Sequence, residues 1–101
     1  MWILVMFDLP VDTDKAKRQY VLFRKFLLQD GFTKLQFSVY VRHCASEENM
    51  QVHLKRIEAH IPPDGEVRSL WLTEKQFARM RTFLGKRRKP APSVPQQLEF
   101  F

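Results

Sequence analysis

A chain of 101 residues makes one domain with one core, burying roughly 60–70% of its unfolded surface. Its composition, 45% hydrophobic and 28% charged with only 3 glycines, excludes collagen-like, low-complexity and largely disordered chains. A net charge of +6 and a pI near 9.8 favour nucleic acid or an anionic surface as partner and are silent about fold. The single cysteine, Cys44, excludes an intramolecular disulfide and any zinc site built on paired cysteines.

Trp2 to Phe7 is a continuous apolar run rich in strand formers. Its lack of alternation predicts a central strand covered on both faces. The run has no basic leader and is too short for a signal peptide or a membrane span, so the expectation is a soluble cytoplasmic protein. Asp8-Leu9-Pro10 closes the strand, because proline donates nothing to a ladder. Asp12-Thr13-Asp14 supplies capping chemistry for a helix over 14–29, which Asp30-Gly31 stops. Ala16, Tyr20, Phe23 and Leu27 share one stripe, the expected core face. Lys17, Arg18, Arg24 and Lys25 fall on the opposite side, together with Val21 and Leu28.

Leu35, Phe37, Val39 and Val41 alternate with Lys34, Gln36, Ser38, Tyr40 and Arg42, which predicts strand. The unbroken alternation reads as one strand, while a tight break between Gln36 and Ser38 would make two; periodicity leaves both open. Ser46 caps a second helix, with Glu47 and Glu48 in its first turn and Met50, Leu54, Ile57 and Ile61 as its apolar stripe. Pro62-Pro63-Asp64-Gly65 breaks the chain. Val67 to Leu72 predicts another buried strand, and Thr73-Glu74-Lys75-Gln76 a cap and first helical turn.

The chain changes character after Gly85. Residues 1–85 are the expected domain and 86–101 a basic, proline-rich tail. Pro90, Pro92 and Pro95 forbid regular structure, but Gln97 to Phe101 regains strand propensity. Leu98, Phe100 and Phe101 predict docking on the sheet edge of a second subunit. The order of elements points to an α+β domain of two layers.

Five segments then carry a family likeness: Leu4-Val5-Met6-Phe7-Asp8-Leu9-Pro10, Phe23-Arg24-Lys25-Phe26-Leu27, Asp30-Gly31-Phe32, Gln36-Phe37-Ser38-Val39-Tyr40 and Thr73-Glu74-Lys75-Gln76-Phe77. In this order they resemble the CRISPR-associated Cas-two family, in the form found with single-effector type II systems. The resemblance implies a ferredoxin-like βαββαβ domain, with the middle region folded as two strands and an extra C-terminal strand. It implies a symmetric homodimer in which that strand reaches onto the partner subunit. It further implies Cas-one integrase subunits flanking the dimer, and an assembly that holds a short DNA duplex and inserts it as a new spacer. Finally, it implies a metal-dependent endonuclease on RNA or DNA, whose metal and catalytic residue is the aspartate ending the first strand, here Asp8.

Chemistry sets conditions on that role. Magnesium takes hard oxygen ligands and keeps several waters, so one or two carboxylates suffice. One Asp8 per chain is thin; a two-fold axis would bring a second. Two crowded carboxylates disfavour joint ionisation unless a cation lies between them. The plainer reading of Asp8 is a cap on the strand or turn. Helix capping likewise accounts for Asp12 and Asp14, and sheet surface for Ser38 and Tyr40.

Lys15, Lys17, Arg18, Arg24 and Lys25 are candidate phosphate contacts. So are Arg79, Arg81, Lys86, Arg87 and Arg88, from a stretch, Lys75 to Lys89, with seven basic residues and none acidic. Such contacts position a duplex without reading its sequence and are steeply salt-dependent. His43, His53 and His60 read as structural or surface residues, and Cys44 is assigned no role. Two alternatives stand beside the scaffold reading. One is a free-standing metal-dependent ribonuclease. The other is a non-catalytic RNA-binding module that stacks bases of single-stranded RNA on Phe37 or Tyr40. The absence of the aromatic-glycine pattern of RNA-recognition sheets speaks against the module.

Overall fold

Trp2–Asp8 forms β1, the strand against which the others are laid. It pairs antiparallel with β3 (Val39–His43) on one side and β4 (Glu66–Leu72) on the other. β2 (Thr33–Gln36) pairs beyond β3, so the sheet runs in the order β2-β3-β1-β4. Helix α1 (Asp14–Gln29) connects β1 to β2, and α2 (Glu47–Ala59) connects β3 to β4. Each crossover skips one strand, which is the interleaved βαββαβ arrangement of ferredoxin-like domains. The computed structural model describes residues 1–85. The expectations for Lys86, Arg87, Arg88, Leu98, Phe100, Phe101 and the extra strand lie outside the described residues.

Ile3, Val5 and Phe7 point to the helices and are buried among Tyr20, Phe23, Leu27, Met50 and Ile57. Each large apolar side chain fully buried there is worth roughly 1.5–3 kcal/mol. Phe7 is the hub. Its ring meets Phe23 at 5.3 Å and Tyr20 at 5.9 Å edge-on, and stacks with Tyr40 at 5.8 Å. The alternate residues face away: Leu4 is half-buried and Met6 exposed. A continuous apolar run therefore does not mean two faces covered within this chain. β4 departs further from expectation. It is an edge strand, with Leu70 50% and Trp71 49% exposed.

The middle region is two strands. Gln36-Phe37-Ser38-Val39 turns the chain, Ser38 takes φ 63°, and its carbonyl accepts from Phe7 N–H at 3.1 Å. The register slips between Lys34 and Gln36, a bulge that alternation cannot reveal. Slip and turn together shift the phase. Tyr40, expected on the polar face, is a core residue at 1% exposure.

The helices start where the sequence says. Thr13 and Ser46 accept from the backbone N–H groups of Ala16 and Asn49. Short α3 (Glu74–Ala78) has a full capping box between Thr73 and Gln76. It packs across the helix-free face, with Phe77 stacked on Trp2 at 4.1 Å. Glu74 accepts from the chain-terminal amine, from His43 Nε2 at 2.8 Å and from Trp2 Nε1 at 3.0 Å. Those bonds hold its carboxyl down at about 2. Cys44 is fully buried, its N–H donating to the Met1 carbonyl at 2.7 Å, and burial pushes its thiol pKa up.

A polar network ties the two long helices to β3. Arg42 Nε donates to His53 Nε2 at 3.0 Å, so the ring proton sits on Nδ1 and is donated to Asp30 Oδ2 at 2.7 Å. Arg56 donates to the other Asp30 oxygen at 2.7 Å. Burial alone would raise the Asp30 pKa, but the bonds from His53 and Arg56 outweigh it and the value falls. Gly31, at φ 89°, makes room, because a Cβ there would stand 2.8 Å from Arg42 Nη1. His53 is thus structural, as its sequence context suggests. Asp30→Ala should cost about 2–4 kcal/mol in urea unfolding, since it leaves a buried histidine and a guanidinium without their acceptor.

Candidate functional site

The face of the sheet that no long helix covers divides into three zones. At one end Trp2 and His43 lie under α3. The middle is apolar, with Leu4 of β1 in register with Leu70 of β4 and Met6 two residues further along β1. The far end is charged: Asp8 closes β1 directly opposite Glu66, the first residue of β4. Arg68 lies two residues along from Glu66 on the same face and donates to it at 2.8 Å.

Asp8 is exposed, yet its backbone is held tightly. The preceding Phe7 is locked in the core by three rings. Gly65, at φ 94°, sits so close that a Cβ would stand 2.7 Å from the Asp8 carbonyl oxygen and from Leu9 Cδ2. Only glycine fits both the conformation and the gap. The α2–β4 turn is therefore seated on Asp8, which fixes Glu66 relative to it. Sequence reasoning missed this pairing. Its signals were the glycine closing Pro62-Pro63-Asp64-Gly65 and the Glu66-x-Arg68 spacing that follows.

Behind this end lies a cleft of about 330 Å³, lined by Leu9, Pro10, Asp12, Thr13, Lys15, Gln19, Pro62 and Asp64 among others. Lys15 thus belongs to the same end of the molecule as Asp8. Asp14 stands in the first turn of α1, as capping predicts, and Asp12 lines the cleft. Lys17 and Arg18 are exposed further along α1, beside Val21 and Leu22. Lys25 is also exposed. Arg24 is not on the free side: it is half-buried with its Nε shielded, because one turn after Tyr20 and three residues before Leu27 it borders the core stripe of α1. Arg79 caps the end of α3, Arg81 follows it two residues on, and both are exposed. Among the described residues, the expected basic residues therefore fall on α1 and after α3.

As a metal site the described part of one chain is incomplete. Asp8 and Glu66 offer hard oxygen donors suited to magnesium. Among the described residues, no group of three or more His, Cys, Asp or Glu gathers to hold an ion. The donor chemistry fits, and the number fits only if a second copy contributes. Among the described residues no helix is long and apolar enough to cross a membrane.

A small α+β domain of ferredoxin-like order, bearing one exposed carboxylate at the end of its central strand, narrows the choice of family. The model of the family "CRISPR associated protein Cas2" matches residues 1–80. The chain is 54% identical to the CRISPR-associated endoribonuclease Cas2 of Parvibaculum lavamentivorans over the whole of both chains. It is 48% identical to the protein of the same name from Flavobacterium psychrophilum, over all of this chain and 88% of that one. The crystal structure of Streptococcus pyogenes Cas2 at pH 6.5 superposes with a TM-score of 0.63 at 19% identity, covering 82% of this chain and 99% of that chain. The chain belongs to the CRISPR-associated Cas2 family.

The glycine clamp is directly testable. Gly65→Ala should lower stability by about 1–3 kcal/mol through strain at positive φ and the clash with Asp8. Thermal melts and the backbone amide shifts of Asp8 and Glu66 would report it. An unshifted spectrum would mean that the turn does not position Asp8.

Proposed function

We propose that the chain acts in CRISPR adaptation as a symmetric homodimer that holds duplex DNA beside the Cas-one integrase. Its paired Asp8 residues form a magnesium-dependent endonuclease centre. The observation that carries this reading is the open face itself: an apolar middle zone with Asp8 at its end. Burying the middle zone in a two-fold contact removes apolar surface from water and brings two copies of one charged end into the same assembly. Asp8 then has the second carboxylate that one chain lacks.

Lys17, Arg18 and Lys25, exposed on the outer side of α1, neutralise duplex phosphates. Lys15 does the same nearer the cleft. Such contacts hold a duplex by its backbone and give little base preference. Magnesium, when bound, would neutralise charge on a phosphodiester and supply an activated water. Asp8 would hold that ion, and the Phe7 locked in the core keeps the Asp8 backbone in place. The relatives' name, endoribonuclease, supports cleavage of RNA in particular. The RNA-binding module loses half its basis, because Tyr40 is core and only Phe37 is exposed.

Two outcomes are expected. Leu70→Asp places a charge in the apolar zone and should weaken the dimer roughly a hundredfold in sedimentation equilibrium. A variant that dimerises normally would remove this face from the interface. Asp8→Asn should cut RNA cleavage by at least about a hundredfold. Spacer integration with the reconstituted integrase, at equal dimer content, should remain. Loss of integration with duplex binding intact would make the carboxylate part of that chemistry too.

A further inference from the structure

Asp8 and Glu66 together present two negative charges to any phosphodiester approaching that end of the sheet. A cleavage site cannot work by repelling its substrate. The cation placed beside them is Arg68. It lies diagonal to Asp8 across the β1–β4 pair, where neighbours stand about 7–8 Å apart and long side chains still reach. Arg68 is two-thirds exposed, so its remaining donors face outward. Its bond to Glu66 at 2.8 Å anchors one guanidinium nitrogen. Surface ion pairs of this kind add little stability, so stability gives no reason for its presence here.

We infer that Arg68 is the phosphate-binding group of the Asp8 site and that Glu66 is its positioning residue. The inference deepens the nuclease reading and rests on it for the identity of the substrate, single-stranded RNA. Arg68 carries five donors in a planar fork and can keep one bond to Glu66 while giving two to a phosphate. Gly65, seated on the Asp8 backbone, holds the two halves of the site at fixed separation. Glu66 aims the fork, Arg68 receives the phosphate, and Asp8 faces it from the neighbouring strand.

The test is binding without cleavage. A fluorescently labelled single-stranded RNA is titrated into the full chain in chelator, at several salt concentrations. Arg68→Ala should weaken binding roughly tenfold at low salt and reduce the slope of log affinity against log salt by about 0.7. Arg68→Lys should restore the slope but not the full affinity, because the fork is lost. Glu66→Gln should keep the wild-type slope. Its affinity should fall severalfold, as the fork is no longer aimed. An Arg68→Ala isotherm and slope matching wild type would overturn the proposal. So would an affinity loss that sedimentation traces to a weaker dimer, which would make Arg68 an interface residue. Failure of the nuclease reading would appear separately, as unimpaired cleavage by Asp8→Asn, and would leave the binding result standing.

Discussion

Two helices cover one face of a four-stranded sheet and no more. Here α1 and α2 take the face that carries Ile3, Val5 and Phe7, and the other face must meet water or another protein. Short α3 closes only the Trp2 end. The exposure of the candidate site at Asp8 follows from what is left open. The apolar middle zone asks for a partner, and Asp8 is exposed because it points to the uncovered side. The alternation of β1 thus links core to candidate site: the inward Phe7 is held in the core and the outward Asp8 is left exposed beside it.

Much of this was legible in residue types. The caps at Thr13, Ser46 and Thr73 were written in the sequence and hold in the structure, because capping is a local bond between neighbours in the chain. The α1 stripe of Tyr20, Phe23 and Leu27 was equally local. What failed depended on distant pairing. Trp2 to Phe7 looks like a strand covered on both sides because apolar content does not say whether the second cover comes from the same chain. Val67 to Leu72 looked buried for the same reason, yet it is an edge. Tyr40 moved from surface to core because a bulge and a left-handed Ser38 shifted the phase.

The site divides in the same way. Asp8 was reached through the family resemblance, and its exposed position at the end of β1 agrees with an accessible role. Glu66 and Arg68 lie nearly sixty residues away in sequence and could not be joined to Asp8 without the β1–β4 register. Nor could the basic residues be sorted. Arg24 was grouped with Lys17 and Arg18, but one turn after Tyr20 it borders the core stripe and is half-buried.

The seam between β3 and the start of the chain carries one further consequence. Cys44 is the sole cysteine and is sealed there. A thiol reagent reaches its sulfur only while that seam is parted, and a raised thiol pKa slows adventitious reaction still more. Labelling kinetics at this one atom therefore clock how often the edge of the core opens. The chain carries its own gauge of breathing, read without adding a probe or changing a residue.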